Sequence, residues 1–362
     1  MVIKMPNFEG RNLKRIRPSN FSNKIVFVGL SGGIDSAVSA GILSMNYYTV
    51  GVFLKLFKNH SFKPAEKVAR KLGIPFLVMD FQKEFKKNVI DYFLEEFSEG
   101  KTPNPCVMCN KKIKFDLFLK KSLEMGADFI ATGHYVRRLQ ISNSGFSIFK
   151  LYRAKDKRKD QSYFLWTLTQ ARLKKVLFPL GNYTKKQVYE LAEKWGLPCG
   201  EESVDICFLK GDHRKFLKKH LKLKPGVIAH ISGKIIGRHN GLPLYTIGQR
   251  KEIGVSGGPF YVVGFDFKNN TLIVTDDFYD RNLYKKELIA KNVNWISKKK
   301  LEFPLKCSAK IRYQHKAEPA EIVKSKNRYR VIFKKAQRAV TPGQSVVFYK
   351  NSELLGGGII EK

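Results

Sequence analysis

Short apolar runs alternate with amphipathic stretches over the first third of the chain. Ile25-Val26-Phe27-Val28 is unbroken and apolar, and glycines follow it. Ala37-Val38-Ser39-Ala40-Gly41-Ile42-Leu43 then reads as a small-residue helix, so the segment predicts strand, turn and helix in succession. Residues 49–55 predict a second strand. Residues 64–72 predict a helix that Gly73 stops, with Pro75 beyond it. Residues 76–79 predict a third strand, and residues 82–97 a helix whose Phe85, Val89, Tyr92, Phe93 and Phe97 fall near a helical period. A further helix is expected over 113–125, ended by Gly126, and a further strand over 127–132. This order predicts a parallel sheet with helices on both faces.

Residues 161–174 and 184–195 read as a helical appendix, with Thr184 as an N-cap. From about Lys224 glycines and prolines separate short β-branched runs: Ile235-Ile236, Phe260-Tyr261-Val262-Val263 and Leu272-Ile273-Val274. Lys310-Ile311-Arg312-Tyr313, Tyr329-Arg330-Val331-Ile332-Phe333 and Ser345-Val346-Val347-Phe348-Tyr349 alternate similarly, which predicts small β domains and a barrel at the end. The expected fold class is α/β: an N-terminal parallel-sheet domain, a small central β-rich domain and a C-terminal β-barrel. The expected boundaries are a basic arm at 1–23, the first domain with its helical appendix at 24–213, the central domain at 214–282 and the barrel at 283–362. The chain shows no internal repeat.

Charge narrows the partners. The sequence has 67 Lys and Arg against 31 Asp and Glu, a formal charge of +36 over 362 residues. Such an excess repels itself in a compact protein unless an anion offsets it. Aromatics spread among the lysines favour nucleic acid, although part of the excess reads as plain solvated surface. No run of 18 apolar residues exists, so no membrane span is expected. The basic first 23 residues lack the apolar core of a secretory signal. Five cysteines in so long a chain predict free thiols in a reducing compartment, the cytoplasm. A monomer is the default state.

The turn Gly29-Leu30-Ser31-Gly32-Gly33-Ile34-Asp35-Ser36 joins the first strand to its helix. Glycines let the backbone pass close to an anion, and the N–H groups that open a helix favour negative charge. It is neither a Walker A loop, lacking Gly-Lys-Ser/Thr, nor Gly-x-Gly-x-x-Gly. Thr132-Gly133-His134 ends the last predicted strand. Ligands of such sheets bind beyond the strands' carboxyl ends, so the two loops are expected to line one pocket.

The second chemical feature is Cys106-Val107-Met108-Cys109, approached through Pro103 and Pro105 and followed by Lys111, Lys112 and Lys114. A thiol beside a helix start and lysines is expected to ionise easily. A four-cysteine zinc site needs a second pair, and Cys199, Cys207 and Cys307 are isolated. Cys207, between Ile206 and Phe208, reads on its own as a buried core cysteine. Cys199 and Cys307 read as structural.

The turn resembles the PP-loop of the ATP pyrophosphatases. With Thr102 to Asn110, Thr132-Gly133-His134-Tyr135, Lys159-Asp160-Gln161-Ser162-Tyr163-Phe164-Leu165, Ile206-Cys207-Phe208, Tyr245-Thr246-Ile247-Gly248-Gln249-Arg250-Lys251 and Thr341-Pro342-Gly343-Gln344, it resembles the bacterial tRNA-specific 2-thiouridylase family from about residue 24 onward. The resemblance implies an adenine nucleotide alpha hydrolase-like first domain and formation of 2-thiouridine at the wobble uridine of tRNA. ATP would bind at Gly29, Leu30, Ser31, Gly32, Gly33, Ile34, Asp35 and Ser36, with Leu54 and Gly133 nearby. Magnesium would accompany it, with Asp35 placed to orient it. Cys109 would be the nucleophile and Cys207 the persulfide carrier, fed by a sulfur-donating protein; the two would pass through a disulfide. Asn104, Pro105 and Cys106 would meet the target base. His134, Lys159, Asp160, Gln161, Arg312, Tyr313 and Gln344 would contact tRNA.

Some members of that family carry Asp at the position of Cys106. Three thiols, Cys106, Cys109 and Cys207, therefore allow an alternative in which a [4Fe–4S] cluster delivers the sulfur. Two other readings differ in class. Amidating or lysidine-forming PP-loop enzymes need a nitrogen source, and the chain shows no glutaminase-like cysteine–histidine set. A non-catalytic basic RNA-binding protein would not need Ser31, Gly32, Gly33, Asp35 and Ser36 together.

Overall fold

The structure is a computed structural model, and it describes residues 2–3, 22–143, 146–198, 206–209, 211–297, 301–326 and 328–361. Strands β1 (Val2–Ile3), β2 (Ser22–Gly29), β3 (Tyr47–Lys55), β4 (Phe76–Asp80) and β5 (Phe129–Ala131) are followed by a hairpin, β6 (Val136–Asn143) and β7 (Phe146–Arg153), and by β8 (Val176–Leu177). The first sheet has the order β1-β4-β3-β2-β5-β8 and is parallel apart from β1. Of the expected basic arm, Val2 and Ile3 thus form an edge strand; residues 4–21 lie outside the described residues, as does Cys199.

Strand alternation fills both faces. Ile25 and Phe27 pack with Phe81, Phe85, Val89 and Phe115, whereas Val26 and Val28 pack with Ala37, Ala40 and Val68. Helix α1 (Ile34–Ser44) covers the second face. The first face is covered by the helical run Gln82–Phe85, Lys86–Ile90 and Asp91–Ser98 and by a second run, Pro105–Cys109, Asn110–Phe118 and Leu119–Glu124. Both runs contain a π-helical segment, Lys86–Ile90 and Asn110–Phe118, which the sequence reading had as plain helix. The second run also begins eight residues earlier than expected, because Asn104 caps it by accepting a hydrogen bond from the Val107 N–H.

Two expectations change. Residues 161–174 hold only a 3-10 turn, Ser162–Leu165, and one helical turn, Gln170–Leu173. Tyr163, Leu165, Trp166 and Leu168 are all buried, a crowding that a single helix face cannot supply. The strand read at 310–313 stops at Lys310, since Arg312 turns back to bond backbone carbonyls. The helix at 184–195 is found as Lys185–Lys194, with a full capping box between Thr184 and Gln187.

The central sheet, order β10-β9-β12-β11, comprises β9 (Gly226–His230), β10 (Ile235–His239), β11 (Tyr261–Asp266) and β12 (Thr271–Thr275). The last six strands are β13 (Tyr284–Trp295), β14 (Leu305–Lys310), β15 (Glu318–Ser325), β16 (Arg328–Arg338), β17 (Ser345–Lys350) and β18 (Glu353–Ile360). They run β13-β16-β15-β14-β17-β18 and close on β13 as a barrel around Leu288, Ile322, Val331, Phe333 and Phe348. The hairpin β6–β7 extends the barrel sheet by pairing β7 with β18. No helix among the described residues is long and apolar enough to cross a membrane.

The barrel seam is tight. A Cβ on Gly356 would lie 2.1 Å from the Asn294 carbonyl oxygen of the partner strand. Gly356→Ala is therefore expected to destabilise the protein by about 1–3 kcal/mol in chemical denaturation. An unchanged unfolding midpoint would show that the seam has slack.

Candidate active site

The turn after β2 is shaped by its glycines and serines. Gly32 has φ +88°, and a Cβ there would lie 2.5 Å from Pro64 Cβ. The Ser36 hydroxyl accepts from the Ser31 N–H (3.1 Å) and donates to the Gly33 carbonyl (2.8 Å), folding the turn onto the start of α1. The Leu30 N–H is tied to the Val52 carbonyl at 2.8 Å. Leu54 lies near the carboxyl end of β3.

Gly133 follows β5 directly beside this turn. A Cβ on it would meet the Asp35 carbonyl carbon at 2.9 Å and the Ser36 nitrogen at 3.1 Å, so only glycine lets the two loops touch. The Asp35 Oδ1 accepts from Lys185 Nζ (2.8 Å) and from the Tyr135 hydroxyl (2.7 Å). Gln161 holds Tyr135 in place, accepting from its N–H (3.0 Å) and donating its own N–H to its carbonyl (2.9 Å). Sequence reasoning missed Lys185, which no short motif marks, and gave Tyr135, the last residue of the Thr132–Tyr135 motif, no role of its own.

The thiol helix packs on both loops. A Cβ on Gly29 would lie 3.7 Å from the Phe118 ring, and the Phe115 ring centroid is 5.8 Å from that of His134. The approach to this helix is clamped from other sheets. The Thr102 N–H donates to the Pro342 carbonyl (2.9 Å), its carbonyl accepts from Gln344 Nε2 (2.8 Å), and its hydroxyl bonds Thr246 Oγ1 (3.0 Å). Asn104 also reaches the buried Tyr163 hydroxyl. Its neighbours Pro105 and Cys106 are buried and half-buried.

Cys207 reaches the same place from a distant segment. Phe208 anchors that segment edge-on against Phe85 (5.7 Å), Phe93 (5.6 Å) and Phe216 (5.5 Å). Cys109 feels the charge of both Cys207 and Cys106, so the three thiols lie within electrostatic reach of one another. The core reading of Cys207 is thereby corrected: its residue surface is exposed. Surrounding chain is still dense enough to push its thiol up, opposed by Lys114 and by the N–H groups of Cys207 and Phe208.

The expected easily ionised Cys109 is also corrected. Burial pushes its thiol up to about 12, outweighing the opposing pull of Lys114. His134 is buried, bonds Thr132 Oγ1 through Nδ1 (2.8 Å) and is driven by burial well below the usual imidazole range, so it is neutral. Beside Cys109, the buried Asn110 donates to the Phe164 carbonyl (3.2 Å), while its Oδ1 has no partner. All four described cysteines are free. Among the described residues no group of three His, Cys, Asp or Glu side chains is arranged to hold a metal ion. In this arrangement the three thiols do not fit a cluster.

Comparison with known proteins gives the same picture along nearly the whole length. Residues 24–211 match the model of the tRNA methyl transferase HUP domain, 214–276 that of the tRNA methyl transferase PRC-barrel domain and 285–360 that of the aminomethyltransferase beta-barrel domain. The chain is 43% identical over 363 residues to the tRNA-specific 2-thiouridylase MnmA of Clostridioides difficile (strain 630), covering 94% of this chain and 99% of that protein. The chain belongs to the tRNA-specific 2-thiouridylase family. Proteins of the same name from Carboxydothermus hydrogenoformans and Acetivibrio thermocellus are each 41% identical, covering 94% of this chain and 98% and 100% of theirs.

Several residues that the thiouridylase pattern marks for RNA have structural partners here. Asp160 accepts from the Ala154 N–H (3.1 Å), the Ser162 N–H (3.2 Å) and the Ser162 hydroxyl (2.9 Å). Arg312 Nη2 donates to the Ile247 and Ala339 carbonyls (3.0 and 2.9 Å) and to Thr341 Oγ1 (2.6 Å), joining the central sheet to the barrel. Tyr313 packs on Phe164 at 4.5 Å. Lys159 lines a cavity of about 520 Å³ with Asp156, Arg158, Lys185 and Tyr189, beside the Asp35 bridge.

Gly133→Ala is expected to weaken ATP binding about tenfold or more in calorimetry, because the added methyl forces the two loops apart. Alkylation of Cys109 in the free protein should still rise steeply with pH through 10, whereas an ordinary thiol, half ionised at about 8.5, levels off roughly one unit above that. A plateau near pH 8 would mean that burial does not govern this thiol.

Proposed function

We propose that this chain is an ATP-dependent tRNA-uridine 2-sulfurtransferase that makes 2-thiouridine at the wobble position. One observation carries the reading: a pyrophosphatase-type turn and two convergent thiols are held against one another through the helix bearing Cys109. The family-model names speak of methyl transfer, but sulfur chemistry is what these groups supply, and the relatives are named for it.

The turn from Gly29 to Ser36 cradles the triphosphate with main-chain N–H groups and the opening of α1. The uridine C2 oxygen attacks the α-phosphorus, a C2–O–P bond forms and pyrophosphate leaves. The purpose is to turn a poor leaving oxygen into a good one. A magnesium ion bound with ATP would supply charge screening at the phosphates; Asp35, in the first turn of α1 and paired through Oδ1 with Lys185 and Tyr135, would be the carboxylate to hold it.

The outer sulfur of a persulfide on Cys207 then attacks C2, forming a C–S bond as AMP leaves with the C–O electron pair. The Cys109 thiolate attacks Cys207 Sγ, the old S–S bond breaks, and its electron pair stays on the sulfur now bound to C2. The product is 2-thiouridine and a Cys109–Cys207 disulfide, which a cellular dithiol reduces. A persulfide-bearing protein reloads Cys207. Base access through Asn104, Pro105 and Cys106 fits the way modifying enzymes take a nucleotide out of its stack. We place the enzyme in the cytoplasm as a monomer.

The test is mass spectrometry of tRNA nucleosides after incubation with ATP, magnesium and a persulfide donor. Wild type is expected to form 2-thiouridine with AMP and pyrophosphate. Cys207→Ser and Cys109→Ser should each lower product at least a hundredfold while leaving ATP binding intact. Normal thiolation by Cys207→Ser would overturn the assigned route, and RNA binding without pyrophosphate release would favour a non-catalytic protein.

A further inference from the structure

Three lysines follow Cys109, and the register of the helix separates them. Residues Asn110–Phe118 are π-helical, so each carbonyl accepts from the N–H five positions on. A π-helix advances roughly 80° per residue, which puts Lys114 about 40° from Cys109 around the axis. At the roughly 100° per residue of an α-helix, the same five-residue step would turn it about 140° away. The π register therefore brings Lys114 onto the face of Cys109. It puts Lys111, Lys112 and Asp116 together on the opposite side.

The surroundings agree with that phase. Lys111 feels Lys112, Arg172 and Asp116, and Asp116 is bonded to Arg172 at 2.6 Å. That pair marks the outer face. Lys114 is half-buried between Ile113 and Phe115, both fully buried. Its charge is felt by three groups on three separate segments: Cys109 on its own helix, Cys207 on the Phe208-anchored turn and His134 after β5. The remaining groups facing Cys109 are the thiols of Cys106 and Cys207, which oppose a thiolate there. His134, being neutral, offers no competing positive charge.

We propose that Lys114 is a positioning residue for sulfur transfer, its ammonium holding negative charge on Cys109 Sγ and on the outer sulfur of the Cys207 persulfide. This rests on the reading of the two cysteines given above. In the sequence drawn there, anionic sulfur attacks twice, first at C2 and then at Cys207 Sγ. A cation whose charge reaches both segments favours both attacking species. Adenylation, carried out at the glycine turn, does not involve it.

The experiment uses the full chain with Lys114→Gln and Lys114→Arg. The first readout is the rate of Cys109 alkylation by iodoacetamide at pH 8, followed by peptide mass spectrometry. Lys114→Gln should slow it about tenfold or more, the effect of removing an opposite charge at close range. Lys114→Arg should restore most of it. The second readout is a single turnover with a persulfide-loaded enzyme: Lys114→Gln should slow thiolation about tenfold or more, with pyrophosphate release within twofold of wild type. Unchanged alkylation, or pyrophosphate release that falls in parallel with thiolation, would overturn the proposal. If alkylation depends on Lys114 while wild type makes no 2-thiouridine, the electrostatic role stands and the assigned reaction fails.

Discussion

The site depends on how the strand of chain before Cys109 is held. Thr102 spends its N–H on Pro342, its carbonyl on Gln344 and its hydroxyl on Thr246. One residue thereby binds the helix carrying two thiols to both the central sheet and the barrel. Inside that clamp, backbone contact at Gly133 sets the second loop against the glycine turn. These are short polar bonds and steric limits, not large apolar surfaces. They fix distances between groups that the apolar cores alone would leave free to slide.

Burial then sets the chemistry. A thiol taken out of water resists ionisation, and Cys109 is pushed up to about 12 for that reason. The sulfur stays protonated and unreactive in the free protein. His134, also buried, stays neutral. A buried thiol held protonated in this way is protected from stray oxidation, and Lys114 is the charge that opposes the shift.

The first sheet, its glycine turn and the barrel were legible in the sequence, because period-two and helical patterns, glycine punctuation and β-branched runs report directly on burial. The pairing of Asp35 with Lys185 was not, since the partners lie 150 residues apart and each reads locally as surface charge. Nor was the helix register. A pattern search assumes the α period, and the π segment over Asn110–Phe118 reassigns every side chain after Cys109. Gln161, Arg312 and Gln344, expected at RNA, also bond the protein itself, holding Tyr135, Ile247 and Thr102, a second role that a motif does not reveal.

The pairing of β7 with β18 has a consequence for biosynthesis. Lys150 and Glu353, bonded at 2.8 Å across that seam, are 203 positions apart. Residue Ile360 in turn bonds Gly343 and Gln344, the loop that grips Thr102. A nascent chain that has already made its glycine turn and its thiol helix must therefore wait for β18 before those parts are locked in register. Translation products that stop short would carry every reactive group and lack the frame that aligns them.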